Sequence, residues 1–99
     1  MLINRGLVNG QVVTFKLVTG DEILARLEED GDTVYRVSKP HVLMPSQQGL
    51  AMMPYVMSLN DDQIVEFRKT DVMFAAPTRS ELVASFTKAT TGIEIPVQQ

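Results

Sequence analysis

Arg68 and Lys69 are the only adjacent basic pair in the chain, and they fall where two short apolar stretches must be joined by a tight turn. A guanidinium and an ammonium at such a turn suit two kinds of work. They can contact phosphates or stack on bases of a single strand. Alternatively, Arg68 pairs with Asp30 or Asp71 and fastens one turn to another, since arginine matches carboxylates in bidentate fashion. Tyr35 and Tyr55 offer rings for base stacking, or, more plainly, half-buried strand positions with a wetted hydroxyl. His41 is the single histidine. No cysteine and no suitably spaced carboxylate accompanies it, so neither a metal centre nor a nucleophile–base pair is expected. The acidic stretches Glu28-Glu29-Asp30 with Asp32, and Asp61-Asp62, lack the ligand spacing of a calcium loop and read as solvated turns. No catalytic constellation emerges, and the chain is not expected to be an enzyme or to need a cofactor.

These residues must be positioned by strands. From Val12 to Met44 the chain reads as three consecutive strands, with turns at Thr19-Gly20-Asp21 and Asp30-Gly31-Asp32. Val13, Phe15 and Leu17 alternate with Val12, Thr14, Lys16 and Val18. Ile23, Ala25 and Leu27 alternate with Glu22, Leu24, Arg26 and Glu28. Successive side chains in a strand point to opposite faces, so each segment offers one apolar face, and a one-residue slip would bury Lys16 or Glu28. The third strand is apolar on both parities (Val34, Val42 and Met44 on one, Tyr35, Val37 and Leu43 on the other), which implies a bend or burial on both sides. Pro40, without a backbone donor, marks an edge, a bulge or a break in pairing. The flanks of Pro45–Gly49 form a methionine-rich hairpin arm, suited to subunit packing or to a partner surface. Two short strands follow, Gln63–Lys69 and Asp71–Ala76, with Arg68-Lys69-Thr70 between them. Thr78-x-x-Glu81 has the form of a capping box, and Leu82, Val83, Phe86 and Ala89 recur at helical spacing. The expectation is five strands and then a helix: one domain over residues 1–99, with a barrel over about 11–76, a helix over about 79–90 and an extended tail from Ile93.

Composition bounds the function. Ninety-nine residues can bury a modest core without staples. Nine Lys and Arg against twelve Asp and Glu leave a net charge of −3, which excludes the broad basic face that non-specific double-stranded DNA binding requires. The absence of cysteine fits a reducing, cytoplasmic setting. Met1–Gly6 does not read as a signal peptide. No apolar run approaches the ~20 residues of a membrane helix, so no membrane partner is expected.

Two segments carry a resemblance to the Sm-like family, which includes the Sm and LSm proteins and bacterial Hfq. Val13, Phe15, Gly20, Ala25 and Leu27 match its first motif: apolar-x-apolar, Gly, a small residue five positions on and Leu two further. Phe67-Arg68-Lys69-Thr70-Asp71-Val72-Met73-Phe74 is similar to the second, with Lys69 where the family has glycine. Together the motifs span more than half of the chain. Asp30 keeps the first position of the family's base-clamping loop, while Asp32 stands where an aromatic is usual and Val34 where an Asn is. The helix follows the strands here, whereas family members carry it before them. In size and loops the chain is most similar to phage-encoded Sm-like proteins. The resemblance implies an all-β, bent five-stranded (SH3-like) barrel with one C-terminal helix. It also implies a homo-oligomeric ring closed through strands 63–76, and single-stranded RNA held by Arg68, Lys69, Asp30, Asp32 and Tyr35. The acidic balance and the altered clamp leave a second reading open: a ring that scaffolds protein partners.

Overall fold

The computed structural model describes residues 7–60 and 62–91; the tail from Ile93, the first six residues and Asp61 lie outside this range. Six strands precede one helix: β1 (Val12–Leu17), β2 (Glu22–Asp30), β3 (Val34–Ser46), β4 (Gly49–Pro54), β5 (Ile64–Arg68), β6 (Val72–Pro77) and α1 (Ser80–Thr91). All ladders are antiparallel, in the order β4-β3-β2-β1-β6, and β5 pairs with the first half of β3. The expected count of five strands becomes six because the second side of the arm pairs along Met44 to Ser46 and back to His41 as a strand of its own. That strand ends at Pro54, and the connection through Tyr55–Gln63 separates it from β5. Nor is the sheet closed. Among the described residues β5 and β6 are joined only by a short 3-10 turn, Lys69–Asp71, and share no ladder.

The alternation read from β1 and β2 builds the main core. Val13, Phe15, Leu17, Ile23, Ala25 and Leu27 are buried together with Tyr35, Val37 and Phe67. The Phe15 ring stands edge-on to Tyr35 at 5.1 Å and to Phe67 at 5.4 Å between centroids, the T-shaped arrangement that aromatic quadrupoles favour.

The opposite face of the same strands is covered too. Val12, Leu24 and Phe86 form a second buried cluster, joined by Leu43, Met52, Leu82 and Val83. Thus α1 lies across the outside of the sheet, with the Phe86 ring inserted beside the His41 ring at 5.6 Å. Ala89, expected on the packed face, is exposed. The capping box does not form as written: the Thr78 hydroxyl bonds the Thr14 hydroxyl at 2.8 Å, and the Arg79 carbonyl accepts the first helical bonds from Leu82 and Val83. Helix start and sheet edge are thereby tied together.

A bulge makes this two-sided packing possible. Leu24 pairs with His41 and Arg26 with Ser38, so Ala25 faces both Lys39 and Pro40. The extra residue reverses the parity of β3. Before it Tyr35 and Val37 face the main core; after it Val42 does, while Leu43 turns to the helix. Pro40 sits where its missing donor costs no ladder bond. Lys39 takes a φ of 54°, the left-handed region that L residues other than Asn, Asp and Gly rarely enter.

A thermal-melt series at Lys39 tests this account. Lys39→Gly should hold or raise the melting temperature, because glycine enters that region without a Cβ clash. Lys39→Val should lower stability by about 1–2 kcal/mol. The reverse order would mean that the bulge does not impose this backbone in solution.

Candidate nucleic-acid interface

Three turns meet at one end of the sheet. The Lys69 N–H donates to the Thr33 carbonyl at 2.9 Å, fastening the 3-10 turn to the loop between β2 and β3. The Val18 N–H donates to the Asp71 carbonyl at 2.9 Å, fastening the same turn to the end of β1. Within the β2–β3 loop the Gly31 N–H donates to the Val34 carbonyl at 2.9 Å, and the register sets Asp30 opposite Tyr35 and Tyr35 opposite Phe67.

This geometry gathers four of the five residues singled out from the sequence. Lys69 Nζ lies 2.6 Å from Asp30 Oδ1 and 4.7 Å from the centroid of the Tyr35 ring, a cation–π contact added to an ion pair. Arg68 Nε donates to Asp71 Oδ2 at 2.9 Å. Its side chain is 74% exposed, so the flat guanidinium stays open to solvent. Asp32 lies exposed on the same loop. Of the two carboxylates weighed as partners for Arg68, the structure gives it Asp71, whereas Asp30 goes to Lys69. Tyr35 is buried against Phe15, and its ring supports the lysine.

Two further networks went unread in the sequence. Arg36 donates to Glu66 at 2.9 Å and to Glu29 at 3.0 Å; only the β3–β5 register, which sets Arg36 opposite Glu66, reveals the first contact. The Tyr55 hydroxyl donates to Asp21 Oδ2 at 3.4 Å, on which the Thr19 hydroxyl also converges at 3.0 Å. Tyr55 packs edge-on to Phe67 and helps line a shallow groove of about 470 Å³ that runs past Val18 and Glu66 to Arg68.

Electrostatically the end is mixed. Arg36, Arg68 and Lys69 stand among Glu29, Asp30, Asp32, Glu66 and Asp71, and each of the three cations holds a carboxylate. Exposed pairs of this kind add little stability, but they set orientation. Among the described residues no three His, Asp or Glu side chains are grouped to hold a metal ion. His41 donates from Nδ1 to the Lys39 carbonyl at 2.8 Å, inside the bulge and away from these turns. Among the described residues no helix is long and apolar enough to cross a membrane. Neither a protein-family model nor a curated protein matches the chain.

The Tyr55 contact carries a pH dependence. Burial pushes its hydroxyl above the usual value of 10.0, and the neighbouring Asp21 charge and hydrogen bond push the same way. A folded pKa above the unfolded one means that stability is fully present below pH ~10 and falls as pH rises past it. Phenolate absorbance should therefore show Tyr55 ionising above the normal range, and Asp21→Asn should bring it back part of the way. Equal titration of Tyr55 in the folded chain and in urea would contradict the contact.

Proposed function

We propose that this protein is an Sm-like RNA-binding protein that works as a homo-oligomeric ring and contacts single-stranded RNA through the turns bearing Arg68 and Lys69. The observation that carries this reading is the joining of the 30–34 loop to the 68–71 turn. These are the positions at which the resemblance to Sm-like proteins assigns RNA contact. The open guanidinium of Arg68 supplies a face for a base or a phosphate, while Asp30 and Tyr35 hold Lys69 beside it. The bent sheet is then an Sm-like barrel opened between β5 and β6. Unpaired strand edges invite pairing, and exposed apolar side chains accompany them: Ile64 on β5, Met73 and Phe74 on β6. A head-to-tail contact between β5 of one copy and β6 of the next closes into a ring when the rotation fits. Repetition around such a ring brings the Arg68 turns of every copy to bear on one strand.

A second reading, a ring that scaffolds protein partners, is favoured by one specific observation. The carboxylates beside Arg36, Arg68 and Lys69 offset their charge, so RNA affinity has to come from local contacts.

Sedimentation should give a species several times the 11.0 kDa chain. In a low-salt buffer the ring should bind short uridine- or adenine-rich strands. Arg68→Ala with Lys69→Ala should weaken that binding roughly tenfold or more and flatten its salt dependence, because fewer counterions are released. Lys16→Ala serves as the control, and melts should accompany each variant. A clean monomer at micromolar concentration would sink the ring. A ring that binds no RNA at low salt would leave the scaffold reading in place.

A further inference from the structure

The turn that leads into β1 carries Asn9-Gly10, which neither the turn site nor the strand edges use. Asparagine followed by glycine is the pairing in which a side-chain amide is most open to attack by the next backbone nitrogen, because glycine has no Cβ to obstruct the approach. Asn9 is exposed to water. Gly10 takes a φ of 91°, and a Cβ built on it would meet nothing within 4 Å, so backbone conformation rather than space calls for glycine there. Elsewhere in the chain the same chemistry is hindered. Asn4 and Asn60 precede Arg5 and Asp61, whose side chains crowd the attacking nitrogen, and Gln48 before Gly49 would have to close a six-membered ring.

The fold withholds the nucleophile. The Gly10 N–H donates to the Leu27 carbonyl at 2.6 Å, and the Leu27 N–H donates to the Gln11 carbonyl at 2.8 Å. Arg26 Nη1 donates to the Gly10 carbonyl at 2.8 Å. Gln11 closes the turn from within: its N–H donates to the Val8 carbonyl at 3.2 Å, and its side-chain oxygen accepts from the Val8 N–H at 2.9 Å. Leu7 packs against the main core. Attack requires the Gly10 nitrogen to lose its proton and turn its lone pair onto Asn9 Cγ. An N–H held at 2.6 Å by a carbonyl does neither until the segment opens.

We infer that Asn9 is a latent deamidation site, locked by the Gly10–Leu27 clasp and released only when the 7–11 segment lifts from β2. In the open segment the Gly10 nitrogen gives its proton to hydroxide and bonds to Asn9 Cγ. The Cγ–Nδ2 bond breaks, and the side-chain amide leaves as ammonia. Water then opens the five-membered imide at one of its two carbonyls, giving aspartate or isoaspartate at this position. Either product adds a negative charge. In the isoaspartyl product the main chain also runs through Cβ, one carbon longer just ahead of Gly10, so the N–H no longer meets the Leu27 carbonyl in register. Release is therefore one-way: a segment that has reacted in this way does not clasp again. The inference is independent of RNA binding and of the ring.

Incubation of the full chain at mildly alkaline pH, folded or unfolded in guanidinium chloride, tests it. Peptide mass mapping locates the converted side chain, enzymatic methylation reports isoaspartate, and amide exchange follows Gly10. In the unfolded chain Asn9 should convert ahead of every other amide side chain. In the folded chain it should convert at least roughly tenfold more slowly, in step with opening of the segment. Arg26→Ala, and separately denaturant below the unfolding transition, should speed Gly10 exchange and Asn9 conversion together. Asn9→Asp adds the charge without the extra carbon and should keep Gly10 protected, whereas the purified isoaspartyl chain should lose that protection. Equal conversion in the folded and unfolded chain, or Gly10 exchange that quickens without faster conversion, would overturn the lock. An isoaspartyl chain with Gly10 still protected would overturn the one-way release.

Discussion

The extra residue in β3 opposite Ala25 is the constraint on which the rest of the structure depends. A strand of uniform parity could feed one core only. With Lys39 inserted, the first half of β3 gives Tyr35 and Val37 to the main core, and the second half gives Val42 to that core and Leu43 to the helix side. The same bulge turns the far half of β3 out along β4 and leaves the near half to β5. One thirteen-residue strand therefore serves three neighbours. It also sets Pro40 and His41 along a pocket of about 180 Å³ that Val56, Gln63 and Ala89 help to line.

Covering both faces of β1 and β2 has a consequence for the edges. The helix shields Val12 and Leu24, whereas among the described residues β5 and β6 each have one ladder only, to β3 and to β1, and Ile64, Met73 and Phe74 are exposed. Buried amides need partners, and exposed strand edges find them in other chains. An apolar edge at each side of a gap is what a head-to-tail assembly would use. At the turn end, by contrast, Arg36, Arg68 and Lys69 each stand beside a carboxylate.

Much of the main core was legible, because period-two alternation in β1 and β2 is a direct image of which face is buried; Phe15 and Leu27 lie where the pattern puts them. Pro40 announced an edge, a bulge or a break, and mixed parity announced either a bend or two-sided burial. What stayed hidden was set by distant partners. Thr78 has the form of a cap, but a hydroxyl on β1 claims it. Arg68 had two candidate carboxylates in sequence, and only the register of the turns assigned Asp71 to it and Asp30 to Lys69. The Arg36–Glu66 pair spans thirty residues and has no local signal. The pocket along Pro40 and His41 draws on three separate segments, so no stretch of sequence displays it.

The central claim is that β5 and β6 are interrupted ladders completed by another copy, and amide hydrogen exchange reads this directly. If the claim holds, the amides of Ile64–Arg68 and Val72–Pro77 that face away from β3 and β1 exchange slowly at concentrations that support assembly. They should quicken on dilution, while those of β2, already paired on both sides, do not change. Rapid exchange of those edge amides at every concentration would contradict the account.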